Sequence, residues 1–165
     1  MLTKMLAVAA AAMVLSGSAR AEFAADLRGT WVLVSSVTDK DGNKTEQFGS
    51  GATGMMTLDA RGHFMLTIIG PDLPQFASNS RAAGTPEENK AVMSKSIAMI
   101  GTYSHNPADN TLTFKVESST FPNWNGTQQK RVIVTSTKSE LKYITPTASS
   151  GGVGTVTWRR ANSAG

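Results

Sequence analysis

Three side chains in this 165-residue chain have the types that an acid-base reaction needs: Glu117 as carboxylate, Tyr103 as hydroxyl and Arg131 as fixed cation. A carboxylate held in an apolar interior has its pKa raised toward neutrality, and a nearby guanidinium and phenol can steady the charge that proton transfer creates. Brought together, they suit a cofactor-free isomerase or cyclase, or equally an inert polar network. Other chemistries are thinner. His63 and His105 are the only histidines and neither stands in a ligand-spaced cluster, so no metal is expected. The chain has no cysteine, which removes disulfides, thiolate metal sites and thiol catalysis. No serine stands in Gly-x-Ser-x-Gly. The run Gly49-Ser50-Gly51-Ala52-Thr53-Gly54 lacks the lysine of a phosphate loop. No cofactor is expected.

The elements that must position these residues read as β-strands. The 19 threonines, repeated Val, Ile and aromatic clusters, and regular turn signals favour strands over helices. Predicted strands are Gly29 to Val37, Lys44 to Phe48, Thr53 to Asp59, Gly62 to Ile69 and Met99 to His105. Four more run from Thr111 to Ser118, Gln128 to Ser136, Glu140 to Thr145 and Val153 to Arg160. Short hairpins in sequence build a meander. A meander of about eight strands loses its open edges by closing into an up-and-down antiparallel barrel, which fits better than a sandwich with its longer crossovers. One segment departs from this pattern. Thr85-Pro86-Glu87-Glu88 carries a cap, a proline at the first helical position and a glutamate three residues after the cap. A helix of about twelve residues is therefore expected between the fourth and fifth strands, as a lid over one barrel mouth or as a plug on apolar surface.

Such a barrel is either filled by its own side chains or holds one small ligand. Alternation turns Phe64, Leu66 and Ile68 inward on one strand and Leu112, Phe114 and Val116 inward on another. These residues would line a site for a small hydrophobic or amphipathic molecule, with Trp124, in the loop Pro122 to Gly126, as its lip or its seal. The strand from Gln128 is ambiguous. Its Val132 and Val134 face looks like the core side and would send Arg131 to solvent; the opposite choice brings Arg131 inside, toward Glu117 or an anionic ligand. A filled barrel serving as a structural or interaction module is the remaining reading.

The N-terminus has Lys4, an apolar run from Met5 to Leu15, and Ala19-Arg20-Ala21 before Glu22. That pattern predicts a cleaved secretory signal over residues 1–21 and one domain over 22–165, placed in the periplasm or outside the cell. The apolar run falls short of the roughly 20 residues that span a bilayer, and no second such run follows. Lys4 and Arg20 belong to the leader, so its loss removes two of the 16 basic residues and none of the 12 acidic ones. A body so close to neutral, without a basic stripe, is not expected to bind nucleic acid.

Gly29-Thr30-Trp31 on the first strand resembles the Gly-x-Trp of the lipocalin and calycin superfamily. Trp158-Arg159-Arg160 on the last strand supplies the basic residue that lies across that tryptophan in such barrels, here assigned to Arg159. More specifically, the chain from Leu27 to Arg159 is similar to the bacterial lipocalin-like domain family, the lipocalin-5 type. The likeness rests on Leu27 to Ser35, Gly70 to Ser78, Ala83 to Asn89, Gly101-Thr102-Tyr103 and Phe121 to Arg131. The resemblance implies a closed barrel and carries no activity. Without the disulfides and the second motif of extracellular lipocalins, it does not imply retinoid-type transport.

Overall fold

The computed structural model describes residues 27–162. The predicted leader, with its cleavage point, lies outside them. Among the described residues nine strands, one α-helix and a short 3-10 turn follow in order: β1 (Gly29–Lys40), β2 (Asn43–Glu46), β3 (Thr53–Leu58), β4 (His63–Ile69) and α1 (Pro86–Lys95) come first. Then come β5 (Ser96–Asn106), β6 (Thr111–Ser119), β7 (Gln128–Ser136), β8 (Glu140–Thr145) and β9 (Val153–Arg160). All neighbours pair antiparallel in the order β1-β3-β4-β5-β6-β7-β8-β9, and β9 pairs back onto β1. The result is the closed eight-stranded barrel expected from the meander, with its one helix between β4 and β5. The ninth strand stands outside this ring. β3 pairs with Gly29 to Val32 of β1, and β2 takes the other end of the same edge, Val37 to Lys40.

Turn chemistry accounts for the hairpins. Asp41 and Gly42 both take positive φ, 55° and 84°, as a tight two-residue hairpin requires. The Asp39 side chain accepts a hydrogen bond from Gly42 N at 2.9 Å. Between β3 and β4, the Asp59 carboxylate accepts from the backbone N–H of Arg61 and of His63 at 2.8 and 2.7 Å. These bonds hold its pKa below the ordinary carboxylate value, the His63 amide first among them. Where the β5–β6 register shifts between Ile100 and Gly101, with Glu117 of β6 as the extra residue, the backbone of β6 comes so close that a Cβ on Gly101 would collide with the Lys115 carbonyl oxygen.

Two local expectations are corrected. A helix of about twelve residues was expected, yet it ends at Lys95 after 10 residues, and Ser96 is already extended. Pairing wins over propensity here: Ser96, Ile97 and Ala98 lie opposite Ile69, Ile68 and Thr67 of β4, and Ile97 becomes part of the core. On β7 the expected core face is reversed. Val132 and Val134 are 41% and 53% exposed, while Arg131 is 7% exposed and Ile133 is buried. Directly opposed residues share a face, so the inward Leu112 of β6 and Tyr143 of β8 dictate the choice. Leu112 lies opposite Arg131, and Tyr143 lies opposite Ile133.

Candidate functional site

The two ends of the barrel differ. At one end the loops are short, and Trp31 and Trp158 are both 0% exposed beside Met56, Leu58 and Leu112. The Trp31 indole donates to the Leu27 carbonyl at 2.9 Å. Arg160 lies over the Trp31 ring, its Cζ 4.1 Å from the centroid, and donates to the carbonyls of Lys138 and Arg28, each at 2.6 Å. Gly29 has φ of 125°, which side-chain-bearing residues rarely adopt, and a Cβ there would sit 2.7 Å from Arg160 Nη1, so the guanidinium would have to shift. The closing cation is therefore Arg160 and not the expected Arg159. Strand parity decides this: Arg160 is in register with Trp31 and on the side of the inward Trp158, whereas Arg159 is exposed.

Toward the opposite end the core gives way to a cavity of 510 Å³. Leu66 and Ile68 from β4, Ile97 and Met99 from β5, Phe48 and Val156 form its apolar wall. Trp124 stands at the rim on the single 3-10 turn Pro122–Trp124, edge-on to Phe121 with centroids 5.5 Å apart. Polar groups enter from β7 and β8 through Gln129, Arg131 and Tyr143.

Arg131 is the unusual member of this lining. Its Nη2 donates to Gln129 Oε1 at 2.6 Å and its Nη1 to the Lys130 carbonyl at 3.0 Å. The guanidinium also rests near two ring faces, 5.7 Å from the Phe114 centroid and 6.0 Å from that of Tyr143. Burial pulls its pKa down, against the opposing effect of Tyr143 alongside. Conversely, burial pushes the Tyr143 hydroxyl up while the Arg131 charge pulls it down, which leaves a neutral donor at physiological pH. The one ion pair among the described residues is the exposed His63–Asp59 contact at 3.1 Å. Arg131 is thus a buried cation with rings, an amide oxygen and a carbonyl around it, and no carboxylate.

A family model for the lipocalin-like domain matches residues 28–161, nearly the whole described chain. The chain belongs to this family. Among solved structures, it is similar to a lipocalin-like protein from Bacteroides uniformis, at 12% identity over 82% of this chain and 99% of that one, with a TM-score of 0.46. It is also similar to a redesigned β-barrel, at 17% identity over 84% of this chain and 95% of that one, with a TM-score of 0.45. No curated protein matches.

Within this lipocalin-like barrel the sequence-derived candidates separate into groups. Leu66, Ile68 and Trp124 line the cavity. Phe64, Leu112, Phe114 and Val116 are buried, packed into the solid half; Phe64 and Phe114 are in ring contact, with centroids 4.5 Å apart. The expected acid-base trio is not assembled. Glu117 is exposed on the outer face of β6, and Tyr103 gives its hydroxyl to the Asp59 carbonyl at 2.8 Å beneath the closed end. Only Arg131 of the three faces the cavity. The tyrosine beside it is Tyr143, which parity with the apolar Leu141 on β8 could have placed inside. Of the two readings of helix α1, lid or plug, the lid is not seen: the helix buries none of its residues and contributes none to the cavity lining. No cluster of three or more His, Cys, Asp and Glu suited to a metal occurs among the described residues.

Proposed function

We propose that this protein is an exported binding protein that takes one small apolar or amphipathic molecule into the open end of its barrel. The observation that carries the reading is the 510 Å³ cavity with its wall of Leu66, Ile68, Ile97 and Met99, in a barrel whose other end is packed solid. That volume lies within the range of small-molecule sites, roughly 300–1,000 Å³. Apolar wall left uncovered forgoes about 25 cal/mol per Å² of burial, which a ligand of matching shape recovers. Membership of the lipocalin-like family supports a small ligand in a barrel, and the leader-like residues 1–21 support export.

The test is native mass spectrometry of protein purified from its own host, followed by solvent extraction and identification of what is released. A stoichiometric hydrophobic or amphipathic compound is the expected outcome. Ile97→Trp, which places an indole in the cavity, should yield protein of the same fold without that compound. Retention of the compound by Ile97→Trp would show that it sits elsewhere and would sink the reading.

A further inference from the structure

Arg131 is the feature that the apolar reading leaves over. A guanidinium withdrawn from water is costly unless it is paired, and among the described residues no acidic side chain pairs with it. No Asp or Glu occurs among the residues that line the cavity, whereas the buried Arg131 does. A second observation points the same way. Gln129 lines the cavity, and its Nε2 is buried with no hydrogen-bond partner among the described residues. The amide cannot be turned round to relieve this, because its Oε1 already accepts from Arg131 Nη2 at 2.6 Å, and a flip would set an NH2 against the guanidinium. Beside them the Tyr143 hydroxyl is kept protonated by burial. Three donor groups therefore border one end of an apolar cavity, and among the described residues no carboxylate meets the guanidinium and no acceptor meets the Gln129 amide N–H.

We propose that the cavity is built for a carboxylate-headed amphiphile, with its head on Arg131, Gln129 and Tyr143 and its apolar tail against Leu66, Ile68, Ile97 and Met99. This rests on the cavity being a ligand site and adds the charge and polarity of what enters. A carboxylate has the two acceptor oxygens that a guanidinium and an amide N–H can share. A cationic head would meet the Arg131 charge, and a neutral alcohol would satisfy one donor of the set.

Titration calorimetry with three probes of equal tail length, decanoate, decanol and decyltrimethylammonium, tests this. Decanoate should bind about tenfold or more tightly than decanol, with the ammonium compound weakest. Arg131→Met should reduce decanoate to the level of decanol and leave decanol unchanged. The unliganded Arg131→Met protein should melt no lower than the native one, because an apolar replacement removes a buried charge that the empty protein leaves unpaired. Tyr143→Phe and Gln129→Leu should each narrow the decanoate preference in part, and they carry the test should Arg131→Met fail to fold. Lys130→Gln should leave the preference intact. Equal binding of decanoate and decanol to the native protein would overturn the head-group assignment while sparing the cavity reading. Failure of all three probes to bind would overturn both. Loss of the preference in Lys130→Gln but not in Arg131→Met would move the anion to the rim and refute the assignment to Arg131.

Discussion

Arg159 and Arg160 are the same residue type one position apart, yet the barrel uses them differently. Arg160 combines a stacked guanidinium with two hydrogen bonds to backbone carbonyls across the chain, at Arg28 and Lys138. Arg160→Ala should lower unfolding free energy by about 1–3 kcal/mol, as loss of one ring contact and of charge-assisted bonds implies. Arg159→Ala should change it by no more than about 0.5 kcal/mol, as exposed substitutions do. Urea denaturation of both variants checks the order, and a larger loss for Arg159→Ala would contradict the closure described. Only parity with Trp158 separates the two in the sequence, and the family likeness does not supply it. Arg131 was harder to place for the same kind of reason. The hydrophobicity of Val132 and Val134 is a local signal, but the facing of β7 is set by partners far along the chain, Leu112 and Tyr143. A charged residue on the inward face breaks the pattern that sequence reading relies on, and such breaks concentrate where a ligand is to be met.

The helix shows which element boundaries a sequence can reveal. Its start was legible because everything that makes it is local: Thr85 accepts from Glu88 N at 3.2 Å, and Glu88 returns a bond from Thr85 N at 2.8 Å. Its end was not, because β4 recruits Ser96 to Ala98 by pairing that no local pattern contains. Since α1 buries none of its residues, it contributes little to the core. Thr85→Ala should therefore cost about 1 kcal/mol locally and speed amide exchange over Pro86–Lys95 roughly fivefold, with the melting temperature of the barrel unmoved. Hydrogen exchange followed by mass spectrometry reads both regions in one experiment. A melting temperature that fell in step would show that the helix unfolds together with the barrel.

At the scale of the whole molecule, closure and meander were legible because nearly every strand joins its sequence neighbour through a short turn. Whether the interior is filled was not, since cavity volume depends on how side chains from eight strands meet. The alternatives of filled and hollow barrel both describe part of the molecule: the half around Trp31, Trp158 and Phe114 is solid, and the half around Ile97 and Met99 is open. Stability should follow that division. Amides around Leu112, Ile133 and Leu141 should exchange only through global unfolding, and those bordering the loop between β8 and β9 through smaller openings. A ligand at 100 times its Kd should raise unfolding free energy by about 2.7 kcal/mol and slow exchange first at the open end. Uniform slowing over both ends at low occupancy would argue against a site at one mouth.

The division also sorts the three tryptophans by optical environment. Trp31 and Trp158 are sealed at the closed end at 0% exposure, and half-buried Trp124 stands at the rim. Two indoles are thus shielded from aqueous quenchers, and if the proposed ligand enters, emission of the third should shift and its quenching by added iodide should fall. Were the cavity a ligand site, Trp124 would serve as an intrinsic gauge of its occupancy, readable without a label and without knowing what the occupant is.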